Sequence, residues 1–166
     1  SPKTKISKTN LVKIIKALVK VPEGFHPLKK VDLLLESRRE LMRKQKSVDW
    51  AAGELLGYGS ILLDNHDVRM SGEDVKRGTF SHRHAMVYDE KTGEEYNRLN
   101  HILDNPEGQG KYRIFNSHLS EYGVLGFEFG YSLTSPQGLV VWEAQFGDFV
   151  NGAQIILDQF ITSCET

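Results

Sequence analysis

Apolar residues recur at helical intervals from the start of the chain. In "TNLVKIIKALVKVPEGF", Leu11, Ile14, Ile15 and Leu18 stand at i, i+3, i+4 and i+7. That spacing predicts an amphipathic helix, capped by Thr9 or Asn10 and ended by Pro22 and Gly24. A second helix is expected from Pro27 to Lys46, with Val31, Leu34, Leu35, Arg38 and Leu41 on or near one face. A third begins at Asp49, a favourable N-cap, and carries Trp50, Leu55, Leu56, Tyr58 and Leu62 on its packed side. The period then shortens to two. Val68 and Met70 alternate with polar residues and Gly72 closes that run, "HRHAMVYD" reads as a short extended segment before a turn at "EKTGEE", and "KYRIFNS" is a strand feeding a glycine-rich helix. Leu139 to Trp142 form a continuous apolar run of the kind buried on both faces of a parallel sheet. "DFVNGAQIILDQFITS" reads as a closing helix with Ile155, Ile156 and Phe160 apolar.

Strand and helix thus alternate from residue 49 onward, which predicts an α/β fold: a three-layer, mostly parallel sheet flanked by helices, with right-handed crossovers. Residues 1–46 are expected to be a helical connecting segment and residues 47–166 the α/β domain. At 166 residues the chain is one domain long, and its 39% hydrophobic and 26% charged content is that of an ordinary globular protein. Lys and Arg outnumber Asp and Glu 13 to 5 in residues 1–50, and the balance reverses to 8 against 17 in residues 51–166. The basic third lacks interleaved aromatics, so its cations read as solvated helix faces, and no nucleic-acid partner is expected. No apolar run reaches the roughly 18 residues of a spanning helix, and the first residues lack the apolar stretch of a secretory signal. No membrane association is expected, and the expected location is the cytoplasm. The single Cys164 excludes an internal disulfide framework and a cysteine-based zinc site.

Ligands bind outside the carboxyl ends of strands in open α/β sheets, and three such ends carry unusual residues. Glu121 opens the glycine-rich helix after Ser117 and Ser120, either of which can cap it. A carboxylate there is stabilised by the helix dipole. Alternatively, Gly123, Gly126 and Gly130 signal a close approach to the helix, which would desolvate Glu121 and suit it to proton transfer. Phe146 and Phe149 follow the last strand and either fill the core or stack on a flat ring. The loop "SGEDVKRGTFSHRH" crowds Glu73, Asp74, Lys76, Arg77, His82, Arg83 and His84 together. His82 and His84 are expected on one face of a strand, but no third metal ligand stands at a recognisable spacing and the neighbouring cations oppose a metal. The remaining readings are a site for an anionic substrate and an ion-paired structural loop.

"VRMSGEDVKRGTFSHRHA", "NSHLSEYGVLGFEFGY" and "VVWEAQFGDFVNGAQIILDQFI" resemble, in this order, the thiamine-diphosphate-dependent decarboxylating components of 2-oxoglutarate dehydrogenase complexes. The likeness covers residues 20 to 162 and implies a transketolase-like pyrimidine-binding domain within a longer enzyme. It implies oxidative decarboxylation of 2-oxoglutarate and transfer of the succinyl group to a lipoyl-bearing dihydrolipoamide succinyltransferase. The close alternatives are action on 2-oxoadipate, decarboxylation alone, and a non-catalytic interaction module. By resemblance, Glu121 hydrogen-bonds the aminopyrimidine and favours the tautomer that removes the thiazolium proton, Phe146 stacks on the pyrimidine, and Phe149 and Gln145 line the pocket. Glu73, His82 and His84 belong to a loop that approaches the 2-oxo acid; Glu128 is given no such role. The chain has no Gly-Asp-Gly motif, so the resemblance places the magnesium and diphosphate ligands elsewhere in the longer enzyme. Its partners would be the remainder of its own chain and a second copy in a homodimer, and the 166 residues alone are expected to bind cofactor weakly and to be inactive.

Overall fold

A computed structural model describes residues 4–45 and 47–163. Lys46, where the expected domain boundary falls, and Cys164 lie outside the described residues. Two compact units form, Ser1–His66 with His84–Tyr112 and Asp67–Arg83 with Arg113–Thr166.

The first unit is built on three helices, α1 (Lys8–Leu18), α2 (Lys29–Glu40) and α3 (Trp50–Leu63). Helix α1 starts one turn earlier than expected because Ser7, rather than Thr9 or Asn10, is its cap: the Asn10 amide donates to Ser7 Oγ at 3.1 Å. Asp49 caps α3 as expected, accepting from the Ala52 amide at 2.6 Å. Trp50, one of the apolar positions of the expected pattern, is the first residue of α3 and is 96% exposed. The seam between α1 and α3 is tight at Gly59, where a Cβ would lie 2.6 Å from Ile14 Cγ2. Helix α2 runs on into a π-helical turn, Leu41–Gln45.

Strands β2 (Met86–Tyr88) and β3 (Glu95–Asn97) pair antiparallel, and Val87 packs with Val31 and Leu35 in one apolar cluster. The turn between them is held by Asp89, whose carboxylate accepts from the amides of His26 (2.7 Å), Lys91 (2.8 Å) and Thr92 (2.9 Å). These donors, His26 first, keep that carboxyl well below the usual carboxylate range against the opposing effect of burial. Arg98 is buried and donates to the carbonyls of Leu18 and His84. Burial, reinforced by the Arg38 charge, lowers its pKa to about 10, so it stays cationic at neutral pH.

The second unit holds a three-stranded sheet in the order β4-β1-β5, from β1 (Val68–Gly72), β4 (Tyr112–Asn116) and β5 (Leu139–Glu143). β1 and β5 run parallel, Val68 opposite Leu139 through Gly72 opposite Glu143. Gly72, at φ +151°, is required at this point because a Cβ would strike the Glu143 carbonyl. Helix α4 (Glu121–Thr134) packs across β1 and β5 and completes the predicted α/β arrangement of a parallel sheet flanked by helices.

Two expectations fail here. All five residues of β5 are half-buried rather than enclosed on both faces, because β5 is an edge strand of this sheet. The closing helix is broken into a 3-10 stretch Asp148–Ala153, a short α5 (Gln154–Ile156) and a π turn Leu157–Ile161. Gly152 lies inside the 3-10 stretch, where glycine costs a helix about 1 kcal/mol relative to alanine. Ile155 and Phe160 consequently stay exposed. No described helix is long and apolar enough to cross a membrane.

Candidate functional site

The carboxyl ends of β1 and β5 lead into the two segments that the sequence singles out. After Gly72 the chain runs through a loop, residues 73–83, that turns at positive φ at Asp74 (+55°), Gly78 (+83°) and Ser81 (+54°). Gly78 has no room for a side chain, since a Cβ would lie 2.5 Å from His82 Cε1. The loop therefore closes on its own histidine, which leaves Phe80 projecting outward.

After Glu143 the chain makes a turn closed by the Gly147 amide on the Ala144 carbonyl (3.0 Å). Phe146 sits in that turn at φ +57°. A left-handed conformation costs a non-glycine residue about 1–2 kcal/mol, and 56% of this phenylalanine nevertheless faces solvent. Its ring meets Phe80 edge to face, with centroids 5.7 Å apart at 82°. Phe80 in turn lies 6.0 Å from the His82 ring. Thr79, Phe80, His82, Glu143, Ala144 and Phe146, with Gly147, line a cavity of about 340 Å³.

The structure brings some expected site residues together and separates others. His82 and Phe146 share the cavity. Gln145 sits between the two loop carboxylates: its amide nitrogen reaches Asp74 Oδ2 at 3.3 Å in one orientation, and Glu73 Oε1 and Oε2 at 3.2 and 3.1 Å in the other. Phe149 is exposed in the 3-10 stretch. His84 falls in the other unit, at φ +40°, and its carbonyl accepts from Arg98. His82 and His84 are therefore not on one strand face as expected; the positive φ at Ser81 and His84 breaks the extended alternation, and β2 starts only at Met86. Among the described residues no group of three His, Cys, Asp or Glu could hold a metal ion.

Glu121 is the first residue of α4 and is half-buried rather than sealed from water. Its carboxylate lies against the backbone of the 3-10 stretch, where a Cβ on Gly152 would meet Oε2 at 3.1 Å. No hydrogen bond among the described residues occupies it. Ser120 stands at the cap position but its hydroxyl accepts no capping bond, and Ser117 lies further out. That hydroxyl instead leans over Gly123, 2.8 Å from where a Cβ would be. Of the other two glycines, Gly126 faces Ile156 at an ordinary 3.5 Å and Gly130 opens to space, so no neighbouring element crowds the helix as the pattern suggested.

Phe80 at the cavity, and the Arg69–Glu128 pair elsewhere in the same unit, were not singled out as partners in the sequence. Phe80 follows Gly78 in a loop read only for its charges. Arg69 in β1 and Glu128 in α4 form a bidentate pair at 2.7 and 2.9 Å, with the guanidinium over the rings of Phe115 (4.6 Å), Phe127 (5.2 Å) and Tyr131 (4.7 Å). Their separation of 59 residues hides the pair from any local pattern.

Residues 46–166 match the family described as transketolase, pyrimidine binding domain. This chain belongs to that family. It is 51% identical over 163 residues to the 2-oxoglutarate dehydrogenase, mitochondrial, of Caenorhabditis elegans, covering 98% of this chain and 16% of that protein. It is 47% identical over 163 residues to the 2-oxoglutarate dehydrogenase E1 components of Brucella ovis and Brucella suis, with the same coverage. The chain thus spans about one sixth of the length of these curated relatives, 16% in each case. Within the family match lie the sheet, α4 and the aromatic turn around Phe146.

Proposed function

We propose that this chain is the pyrimidine-binding part of a thiamine-diphosphate-dependent 2-oxoglutarate dehydrogenase E1 component, and that Phe146 carries the aminopyrimidine. The reading rests on one observation above all, an aromatic residue held in a left-handed turn where it lines a cavity of about 340 Å³. Backbone strain in an exposed residue persists where function requires the geometry. The residues present fit parts of a split cofactor site: an aromatic pair at the cavity, and on the same unit, outside the cavity lining, a carboxylate that makes no hydrogen bond among the described residues.

When bound, thiamine diphosphate would supply the electron sink for decarboxylation of a 2-oxo acid. This chain's residues do the rest of what is assigned here. Phe146 orients the ring by stacking. Glu121, at the positive end of α4 and without a hydrogen bond among the described residues, accepts or shares a proton at a pyrimidine nitrogen. Gln145, which reaches Asp74 in one amide orientation and Glu73 in the other, steadies the turn that carries Phe146 and lines the pocket beside it. Phe149, just beyond the turn, is a further candidate for the cofactor, His82 and Glu73 lie toward the 2-oxo acid, and a substrate role for His84, which belongs to the other unit, is proposed apart from them.

In this reading magnesium and the diphosphate are held by parts of the enzyme outside these residues. The intact protein is a homodimer that passes a succinyl group to a dihydrolipoamide succinyltransferase, without a nucleic-acid partner. Its compartment is the cytoplasm; the mitochondrial name of the worm relative supplies the alternative, and cell fractionation decides between them.

Calorimetric titration of thiamine diphosphate with magnesium into the intact protein tests the assignment. Stacking of an aromatic side chain on a base contributes about 1–3 kcal/mol, so Phe146→Ala should weaken binding roughly 5- to 150-fold. Glu121→Ala should abolish turnover while binding persists. Unchanged cofactor affinity in Phe146→Ala overturns the reading. Comparing kcat/KM for 2-oxoglutarate and 2-oxoadipate on the same preparation fixes the substrate.

A further inference from the structure

Arg83 is fully buried, at 0% exposure, and its guanidinium meets acceptors on two different segments. Nη1 donates to the Val75 carbonyl at 2.8 Å and to Glu143 Oε1 at 3.2 Å, and Nη2 donates to Glu143 Oε2 at 2.5 Å. Val75 stands near the start of the 73–83 loop and Arg83 at its end, so one cation closes the loop on itself. Glu143 is the last residue of β5, three positions before Phe146, and it lines the aromatic cavity. The same cation therefore ties the loop that carries Phe80 and His82 to the strand end that carries Phe146.

We infer that Arg83 is a positioning residue: through Glu143 and the Val75 carbonyl it sets the Phe80–Phe146 edge contact and thereby the shape of the cavity. The inference rests on the cofactor reading above for its functional consequence, but its structural content is independent of it. A bidentate guanidinium fits this task because its planar fork fixes orientation as well as distance, which a lysine ammonium does not. The Gly78 amide on the Asp74 carbonyl (2.8 Å) and the Arg83 amide on the Arg77 carbonyl (2.9 Å) also hold the loop, which bends through three positive-φ positions, and the Arg83 guanidinium adds the tie to Glu143 at the end of β5. The Phe80 ring, moreover, is mostly in solvent. Arg83 itself is buried away from solvent, and no role in direct contact with a ligand is assigned to it.

The test uses the intact protein and two readouts. Removing Arg83 alone strands Glu143, and such loss of one partner from a buried pair is strongly destabilising, so Arg83→Met is accompanied by the double variant Arg83→Met/Glu143→Leu, which removes both charges. Hydrogen exchange without cofactor should show the amides of residues 78–82 exchanging at least tenfold faster in the double variant, while its melting temperature stays within a few degrees of wild type. Cofactor affinity by calorimetry should fall tenfold or more, with Arg83→Lys intermediate. Phe146→Ala is titrated in parallel. If Phe146→Ala binds as wild type, the cofactor reading fails and faster loop exchange alone supports Arg83 as the clamp. If Phe146→Ala is weakened while the folded double variant keeps wild-type affinity and wild-type loop exchange, the positioning role is overturned.

Discussion

Glu128→Ala isolates the Arg69–Glu128 pair that joins α4 to the sheet. Glu128 is 2% exposed and receives both arms of the Arg69 guanidinium, whose side chain retains 15% exposure. Removing one member of a buried pair costs about 3–5 kcal/mol, chiefly because the other charge is left without compensation. Arg69 keeps its place over the rings of Phe115, Phe127 and Tyr131, and cation–π attraction of about 0.5–2 kcal/mol survives the substitution. The expected loss is therefore at the lower end, about 3 kcal/mol. With a urea m-value of about 2 kcal/mol/M, typical of a small protein, the midpoint should fall by roughly 1.5 M. Glu128→Gln retains volume and one neutral acceptor and should lose about half as much. Arg69→Met/Glu128→Leu, which removes both charges and keeps the bulk, should recover most of the deficit. A loss under about 1 kcal/mol for Glu128→Ala, or a double variant no more stable than the single one, refutes the claim that a desolvated pair holds α4 to the sheet.

Three further outcomes are expected. Asp89 has a folded-state pKa below its unfolded value, so its stabilising effect is complete above pH 4 or so and fades as pH falls through the depressed value; melting curves of wild type and Asp89→Asn should differ at pH 7 and converge on acidification. Gly59→Ala forces a methyl toward Ile14 and should cost about 1–3 kcal/mol, with Ile14→Val restoring part of it in a double-mutant cycle followed by chemical denaturation. Phe146→Gly should be about 1 kcal/mol more stable than Phe146→Ala, because glycine adopts the left-handed backbone freely, while both lose the ring; equal midpoints would remove the case for strain at this turn.

Much of the frame was legible because its signals are local. The Asp49 cap, the alternation of Val68 and Met70, and the strand-to-helix passage at residues 112–121 each fall within a few residues of the element they specify. Strand β3 escaped because its three residues, Glu95 to Asn97, are too few and too polar to show a period. The burial of β5 was misread because an apolar run reports the strand but not how many neighbours it has. For the site, the strand-end rule located Phe146 and the 73–83 loop, whereas the Arg83–Glu143 clamp joins residues 60 apart. Placing His82 and His84 on one strand assumed an extended backbone that Ser81 and His84 do not adopt.

Each compact unit is assembled from two separated stretches of chain, 1–66 with 84–112 and 67–83 with 113–166. No single cut divides the chain into pieces that each hold one whole unit. A C-terminal piece starting at residue 113 would lack β1, the middle strand of its sheet, and a piece starting at residue 67 would strip the helices from the β2–β3 hairpin. During synthesis the middle strand leaves the ribosome before either of its neighbours, and it must wait for residues 112–116 and then 139–143 to cover its two sides. The sheet is therefore incomplete until residue 143 has been made, and deletion mapping would report loss of structure far from the residues removed.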